Sequence, residues 1–411
     1  MNNNQQAFFE LLRAGLWSDQ RSVQEFKSSI VQDSVNWEKV YQLAQEQSLQ
    51  GLVLQGIDWF KVHDSGFTVP QVLLLQWIGE VQIIEQQNKT LNTYINSLTK
   101  RLEKENVKTI LVKGQGVAQC YERPYWHVSG DVDLILDEDN YKRGKLVLSE
   151  MASLEHEENL FDKHYSAEVD GFCVELHGTM RGMLTKKADD FIDKLQVDLF
   201  KNNRFREWDN DGTVVKLPCP DDDVLFVFTH ILKHFFNYGI GLRQVCDWCR
   251  LLYTFRDSLD YGLLESRLCK MELMTEWKVF YNLASRYLGM PDLDSRLTCV
   301  ESATSRHSSN KFGSAHDSIA DFMVCDSRFD KKADRVLAFI LETGNFGHNR
   351  DNNYYNNTNA IVRGVISLWR HTCDSVKHSF IFPVDSIKIW YRVFVLGTKD
   401  ALGGIIRKCQ R

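Results

Sequence analysis

Apolar residues recur at spacings of three and four over Gln6–Leu16, Val35–Leu54 and Pro70–Glu105, so the first hundred residues are predicted to be helical. The texture changes near Val107. Thr109–Val112 and Val132–Leu136 are short, rich in β-branched residues and bounded by glycines and charges, which predicts strands. Asn140–Leu154 returns to a helical period. His164–Val169 and Phe172–Leu176 then alternate on either side of Asp170-Gly171, a dipeptide suited to the positive φ angles of a two-residue hairpin turn. Thr213–Leu217 adds a strand before Pro218 and Pro220 break the chain. From there the helical pattern prevails: Asp221–Phe236 has an acidic first turn, and helical segments follow over Leu242–Leu288, Lys331–Thr343 and Ala360–His378. The polar stretches 293–317 and 344–359 are predicted to be surface loops. Together these elements give an α+β chain: a helical N-terminal region over 1–105, a core with a small mixed sheet over 106–220, and a helical C-terminal domain over 221–411.

At 411 residues the chain exceeds a single average domain, and 43% hydrophobic against 25% charged residues excludes a disordered or fibrous protein. A formal charge of −6 sets aside an extended nucleic-acid surface and leaves room only for local basic patches. The ten cysteines follow no framework spacing, and the opening Met1-Asn2-Asn3-Asn4 lacks the basic and apolar regions of an export signal. Reduced thiols in a cytoplasmic protein are therefore expected. Arg363–Arg411 carries nine Lys/Arg against three Asp, with Trp369, Phe380, Phe382, Trp390 and Tyr391 interleaved. This pattern fits the basic outer face of a helical domain, or peripheral contact with a membrane or an anionic glycan or lipid.

The candidate chemistry lies between Leu111 and Leu136. In a strand, residues i and i+2 face the same way, so Asp131 and Asp133 aim both carboxylates at one place. Two anions so placed call for a cation, and oxygen ligands of this kind suit Mg²⁺ or Mn²⁺, with phosphate and water completing the shell. Lys113-Gly114-Gln115-Gly116 supplies glycines whose N–H groups can approach a phosphate, plus a positive charge. Ser129 and Gly130, directly ahead of the aspartates, join Lys113, Gly114 and Gly116 as candidate nucleotide contacts. On the predicted hairpin, Glu175 and His177 share a face, which makes Glu175 the third candidate metal ligand; His177, and His164 on the partner strand, are candidate substrate contacts. His230 and His234, one helical turn apart, can be drawn with Cys246 and Cys249 as a zinc site, although core thiols and helix-face histidines explain the same residues better. Arg243 and Asp247 have the i, i+4 spacing of a helical ion pair.

This arrangement resembles the polymerase-β-like nucleotidyltransferase superfamily, which pairs a Gly-containing turn with a downstream Asp-x-Asp and a third acid on a later strand. It is more closely similar to a bacterial family of uncharacterised nucleotidyltransferases: Lys113-Gly114, Ala118, Tyr121, Pro124, Gly130-Asp131-Val132-Asp133-Leu134 and Glu175-Leu176-His177 match in order, and His230, His234, Arg243 and Asp247 match a later helix. The superfamily's Gly-Ser or Gly-Gly turn is Lys-Gly here, and the third acid is Glu rather than Asp. The resemblance implies transfer of a nucleoside monophosphate from an NTP to a hydroxyl of a small molecule, sugar or protein, with pyrophosphate released. Asp131, Asp133 and Glu175 would hold the metal, and His164, His177, His230, His234, Arg243 and Asp247 would lie toward the substrates. Two other classes fit parts of the pattern: a glycosyltransferase that holds a nucleotide sugar on its Asp-x-Asp, and a degenerate transferase that only binds nucleotide or a partner.

Overall fold

The computed structural model describes residues 1–18, 34–156, 158, 163–293, 322–345 and 360–395. Most of the two polar stretches predicted to be loops, 293–317 and 344–359, lies outside the described residues. The N-terminal region holds α1 (Asn3–Leu16), α2 (Trp37–Glu46), α3 (Gln50–His63) and α4 (Gln71–Lys104). The single helix expected over Val35–Leu54 is two helices, α2 and α3. Ser48 adopts a φ of 55° between them, and the Leu49 N–H closes back on the Ala44 carbonyl at 2.8 Å, a left-handed helix terminus.

The sheet is assembled from β1 (Ile110–Val112), β2 (Val132–Ile135), β3 (Leu154–Glu155), β4 (His164–Val169) and β5 (Phe172–His177), with the short α5 (Gly114–Ala118) after β1 and α6 (Glu138–Met151) after β2. Its order is β1-β2-β5-β4-β3, with β2 and β5 parallel and the remaining pairs antiparallel. The expected hairpin turn is present: Asp170 and Gly171 take φ of 53° and 83°. Leu154, expected to end a helix, instead pairs with Glu168 at the sheet edge, because the helix stops at Met151.

After the sheet come α7 (Lys186–Lys201), a two-stranded ribbon of β6 (Phe205–Asn210) and β7 (Thr213–Pro218), then α8 (Pro220–Asn237), α9 (Leu242–Thr254), α10 (Tyr261–Met271), α11 (Met274–Leu288), α12 (Asp330–Thr343) and α13 (Ala360–Ser379). A last helical stretch runs over 383–395. No helix among the described residues is long and apolar enough to cross a membrane. The eight described cysteines are free thiols.

Alternation along β2 and β5 divides the sheet into two faces. Val132, Leu134, Val174 and Leu176 pack with Leu98 and Leu102 of α4, Leu148 of α6 and Leu217 of β7. Ile110, Val112 and Ile135 belong to the other core, with Phe228 and Phe235 of α8 and Trp248 of α9. Asp133 and Glu175 project on this second side, where an ionised carboxylate needs compensation.

A buried acid also marks the seam with the last helical stretch. Burial, and then the neighbouring Asp385, push the fully buried Glu276 carboxyl of α11 up to about 8, against an opposing pull from Lys332. The folded protein therefore binds a proton that the unfolded chain has released above an ordinary glutamate pKa of 4.5. The contribution is fully favourable below that value and is lost as pH rises toward about 8. Glu276→Gln is expected to flatten the pH dependence of stability between those limits and to stabilise the fold at pH 8 by at least about 1 kcal/mol, read by urea unfolding across the pH series.

Candidate functional site

Strand register brings the acids together. On β2, Asp133 lies opposite Val112 of β1 on one side and Glu175 of β5 on the other, while on β4 Ser166 faces Glu175 and His164 faces His177. Asp131 sits just ahead of β2, at the exposed rim. Lys113, the residue after β1, puts Nζ 2.6 Å from Asp133 Oδ1, and His177 Nε2 reaches the same oxygen at 2.7 Å. Glu175 Oε2 is 3.1 Å from His164 Nε2 and 3.5 Å from His177 Nε2. Asp133 and Glu175 thus meet one lysine and two imidazoles on one face of the sheet, with Asp131 at its rim.

The charges are unevenly balanced. Burial would raise the Glu175 carboxyl, but the contacts from His164 and His177 outweigh it and hold Glu175 well below the usual carboxylate range. Asp131 goes the other way: desolvation by the surrounding protein, then the negative charges of Glu175 and Asp133, raise its carboxyl against the pull of Lys113. Negative charge at the rim is therefore only partly neutralised by the protein itself.

Lys113 reaches its position at a conformational cost. Its φ of 57° and ψ of −159° lie in a region that is almost exclusive to glycine. Gly114 follows with φ of 40°, and a Cβ there would stand 3.6 Å from the Asp131 carbonyl, so this turn lies directly against the start of β2. Gly116 faces elsewhere. Its N–H donates to the Lys113 carbonyl at 2.9 Å, and a Cβ would fall 2.9 Å from Leu217 Cδ2, so its small size serves packing against β7. Gly116, expected to contact phosphate, thus has its N–H engaged within the turn, while Lys113 and Gly114 lie beside the acids.

The loop from Tyr121 to Gly130, which delivers Asp131, is held from both sides. Asn88 of α4 donates to the carbonyls of Tyr125 at 2.8 Å and His127 at 2.6 Å, and accepts from Gln115. From α9, Arg243 donates to the Val128 carbonyl, and Asp247 accepts from Tyr121 Oη at 2.7 Å and pairs with His127 Nε2 at 2.8 Å. Burial would raise the Asp247 carboxyl, yet His127, Arg243 and Tyr121 hold it below the ordinary range. His127 Nδ1 continues to Ser129 Oγ at 2.8 Å. Arg243 and Asp247, read from their spacing as an ion pair, each clamp this loop. Ser129 is half-buried at the end of the relay and Gly130 is exposed beside it.

His230 and His234 of α8 lie with ring centroids 4.3 Å apart. Burial, then the positive charge of Lys113, drives both below the ordinary histidine value, His234 to about 3, so both are neutral imidazoles on the Lys113 side. Cys246 and Cys249 are buried, and among the described residues they do not join these histidines as a metal-ligand group. A groove lined by Glu103, Asn106, Lys108, Val214 and Lys216 contains none of Asp131, Asp133 and Glu175.

His127 was not singled out in the sequence. Its signal was its place inside the motif window, two residues before Ser129, but its partners Asp247 and Tyr121 are joined to it only by tertiary packing. The strain at Lys113 generates a test that separates backbone from charge. Lys113→Gly and Lys113→Ala both remove the ammonium from Asp133, but only alanine keeps the unfavourable backbone. The glycine variant is expected to be the more stable by about 1 kcal/mol in chemical denaturation; equal stabilities, or a more stable alanine variant, would contradict the strain.

Comparison with known proteins adds an independent line. No curated protein and no solved structure matches the chain. A family model described as uncharacterised nucleotidyltransferase matches residues 33–289, which include α2 through α11 and every candidate site residue named above. The chain belongs to this uncharacterised nucleotidyltransferase family.

Proposed function

We propose that this protein transfers a nucleoside monophosphate from an NTP to a hydroxyl acceptor, with Mg²⁺ or Mn²⁺ held by Asp131, Asp133 and Glu175. The observation that carries the reading is the pairing of Asp133 with Glu175 on adjacent parallel strands, with Asp131 at the rim, in a chain of the nucleotidyltransferase family. The donor set is one of hard oxygens: Asp133 and Glu175 are register partners, Asp131 is raised by desolvation and then by the charges of Glu175 and Asp133, and the Lys113 ammonium stands on Asp133 Oδ1. The three carboxylates are not gathered within 4.8 Å of one another here and would close on the ion as it binds. Such a cation, when bound, supplies charge neutralisation for the triphosphate and acidifies the acceptor hydroxyl.

The remaining tasks belong to the chain. Lys113 and the Gly114 N–H hold the terminal phosphates, beside Ser129 and Gly130. The acceptor oxygen attacks the α-phosphorus, the bond from that phosphorus to the bridging oxygen breaks, and pyrophosphate leaves. Glu175, kept ionised by His164 and His177, orients the acceptor hydroxyl, whose proton passes to water because a carboxylate held this low is a weak base. His230 and His234 line the substrate side as neutral hydrogen-bonding groups. Arg243 and Asp247 act as positioning residues through the loop that carries Ser129 and Asp131, so much of the rate enhancement comes from fixed geometry.

The test is NTP binding and turnover by the full chain with Mg²⁺. The wild type is expected to show a Mg²⁺-dependent thermal shift with at least one of the four NTPs, and to release pyrophosphate when a panel of small hydroxyl acceptors, sugars and proteins is supplied. Asp131→Asn with Asp133→Asn should abolish the shift and reduce pyrophosphate release at least about 100-fold. A shift that survives in the double variant, without pyrophosphate release by either protein, would favour a nucleotide-binding protein that has lost transfer.

A further inference from the structure

Two nitrogen donors in the cleft are not accounted for by oxygen-ligand chemistry. His164 and His177 are cross-strand partners whose rings stack with centroids 4.9 Å apart and planes 25° from parallel. Both Nε2 atoms address one carboxylate oxygen, Glu175 Oε2, at 3.1 and 3.5 Å. A tetrahedral ion with bonds of about 2.1 Å separates its ligand atoms by about 3.4 Å. Two of the three edges, at 3.1 and 3.5 Å, lie close to that length. The three donor atoms all lie within 4.8 Å of one another, and this is the one such group of three or more His, Cys, Asp or Glu residues among the described residues.

We infer that His164, His177 and Glu175 form a binding site for a divalent transition metal of the zinc class, beside the Asp131/Asp133 site. Imidazole nitrogen selects borderline ions such as Zn²⁺ and Co²⁺ over Mg²⁺, which takes oxygen and holds its water. Asp133 Oδ1, 2.7 Å from His177 Nε2, is the adjacent fourth donor once Lys113 Nζ releases it. The hairpin suits the task because the cross-strand register fixes where both imidazoles emerge, so modest side-chain rotation closes the third edge. Ion binding is argued from these donor atoms alone; the inference rests on the nucleotidyl-transfer reading only in that the ion would then sit on the Glu175, acceptor side of the reaction.

The competing account of the same contacts is an ion-paired cluster with no affinity for metal. Metal-stripped full-length protein titrated calorimetrically with Zn²⁺ in excess Mg²⁺ separates the two. The wild type should bind one equivalent, and Co²⁺ in its place should give the visible absorption of a low-coordinate site with nitrogen ligands. His164→Ala and His177→Ala should each weaken Zn²⁺ binding at least about tenfold, while Asp131→Asn should change it less than about threefold. His164→Gln and His177→Gln, with unfolding midpoints measured alongside, provide the same comparison if an alanine variant fails to fold. No Zn²⁺ binding by the wild type, or the same affinity in folded histidine variants, overturns the site. If that occurs while wild-type pyrophosphate release with Mg²⁺ persists, the transfer reading stands and this inference alone falls.

Discussion

A carboxylate that cannot be left alone organises this protein. Asp133 is 7% exposed in a strand hydrogen-bonded on both sides. Removing an isolated carboxylate from water costs several kcal/mol even after the protein relaxes, so the residue persists only with positive charge or hydrogen-bond donors on its oxygens. In this structure Lys113 and His177 meet Oδ1. Lys113 does so from a backbone conformation that glycine would adopt more readily, and His177 from the strand that also carries Glu175. A glycine at position 113 would relieve the backbone but leave Asp133 without that ammonium. The lysine therefore links backbone strain, the fold's electrostatic balance and the proposed phosphate contact.

The helices serve this arrangement by fixing the loop before β2. Loops ordinarily satisfy their backbone with water, yet here Asn88 and Arg243 take the carbonyls of Tyr125, His127 and Val128 from opposite sides. Asp247, Tyr121 and His127 add a buried hydrogen-bond network that ends at Ser129. A half-satisfied network of this kind would be costly; a satisfied one holds its members in one geometry. Asp131 therefore emerges from a rigid mount, although the residue itself is exposed. The family match extends from 33 to 289 and so takes in α4 and α9, the helices that grip this loop.

What could be read from the sequence was mostly local. The Asp170-Gly171 turn, the shared direction of Asp131 and Asp133, and the acidic start of α8 all depend on residues a few positions apart. The second ribbon repeated the same signal in Asp211-Gly212, with φ of 47° and 79°, but β6 is too polar to stand out beside it. In α7, Ala188, Ile192, Leu195 and Leu199 had helical spacing that was obscured by flanking charges. By contrast, the pairing of β2 with β5, the partners of His127, and the burial of Gly116 against Leu217 come from long-range packing. No local period encodes them. The motif order named the acids; only the fold put Lys113, His177 and His164 on them.

In the proposed transferase the positive charge on Asp133 is exchangeable, with a divalent cation taking the carboxylate when nucleotide arrives. Anomalous diffraction from crystals grown with Mn²⁺ and a non-hydrolysable NTP analogue tests it most directly. The account predicts a Mn²⁺ peak within bonding distance of both Asp131 and Asp133, with Lys113 Nζ moved from Asp133 Oδ1 to a phosphate oxygen. Bound nucleotide with no anomalous peak at these carboxylates, and Lys113 still paired with Asp133, would contradict it.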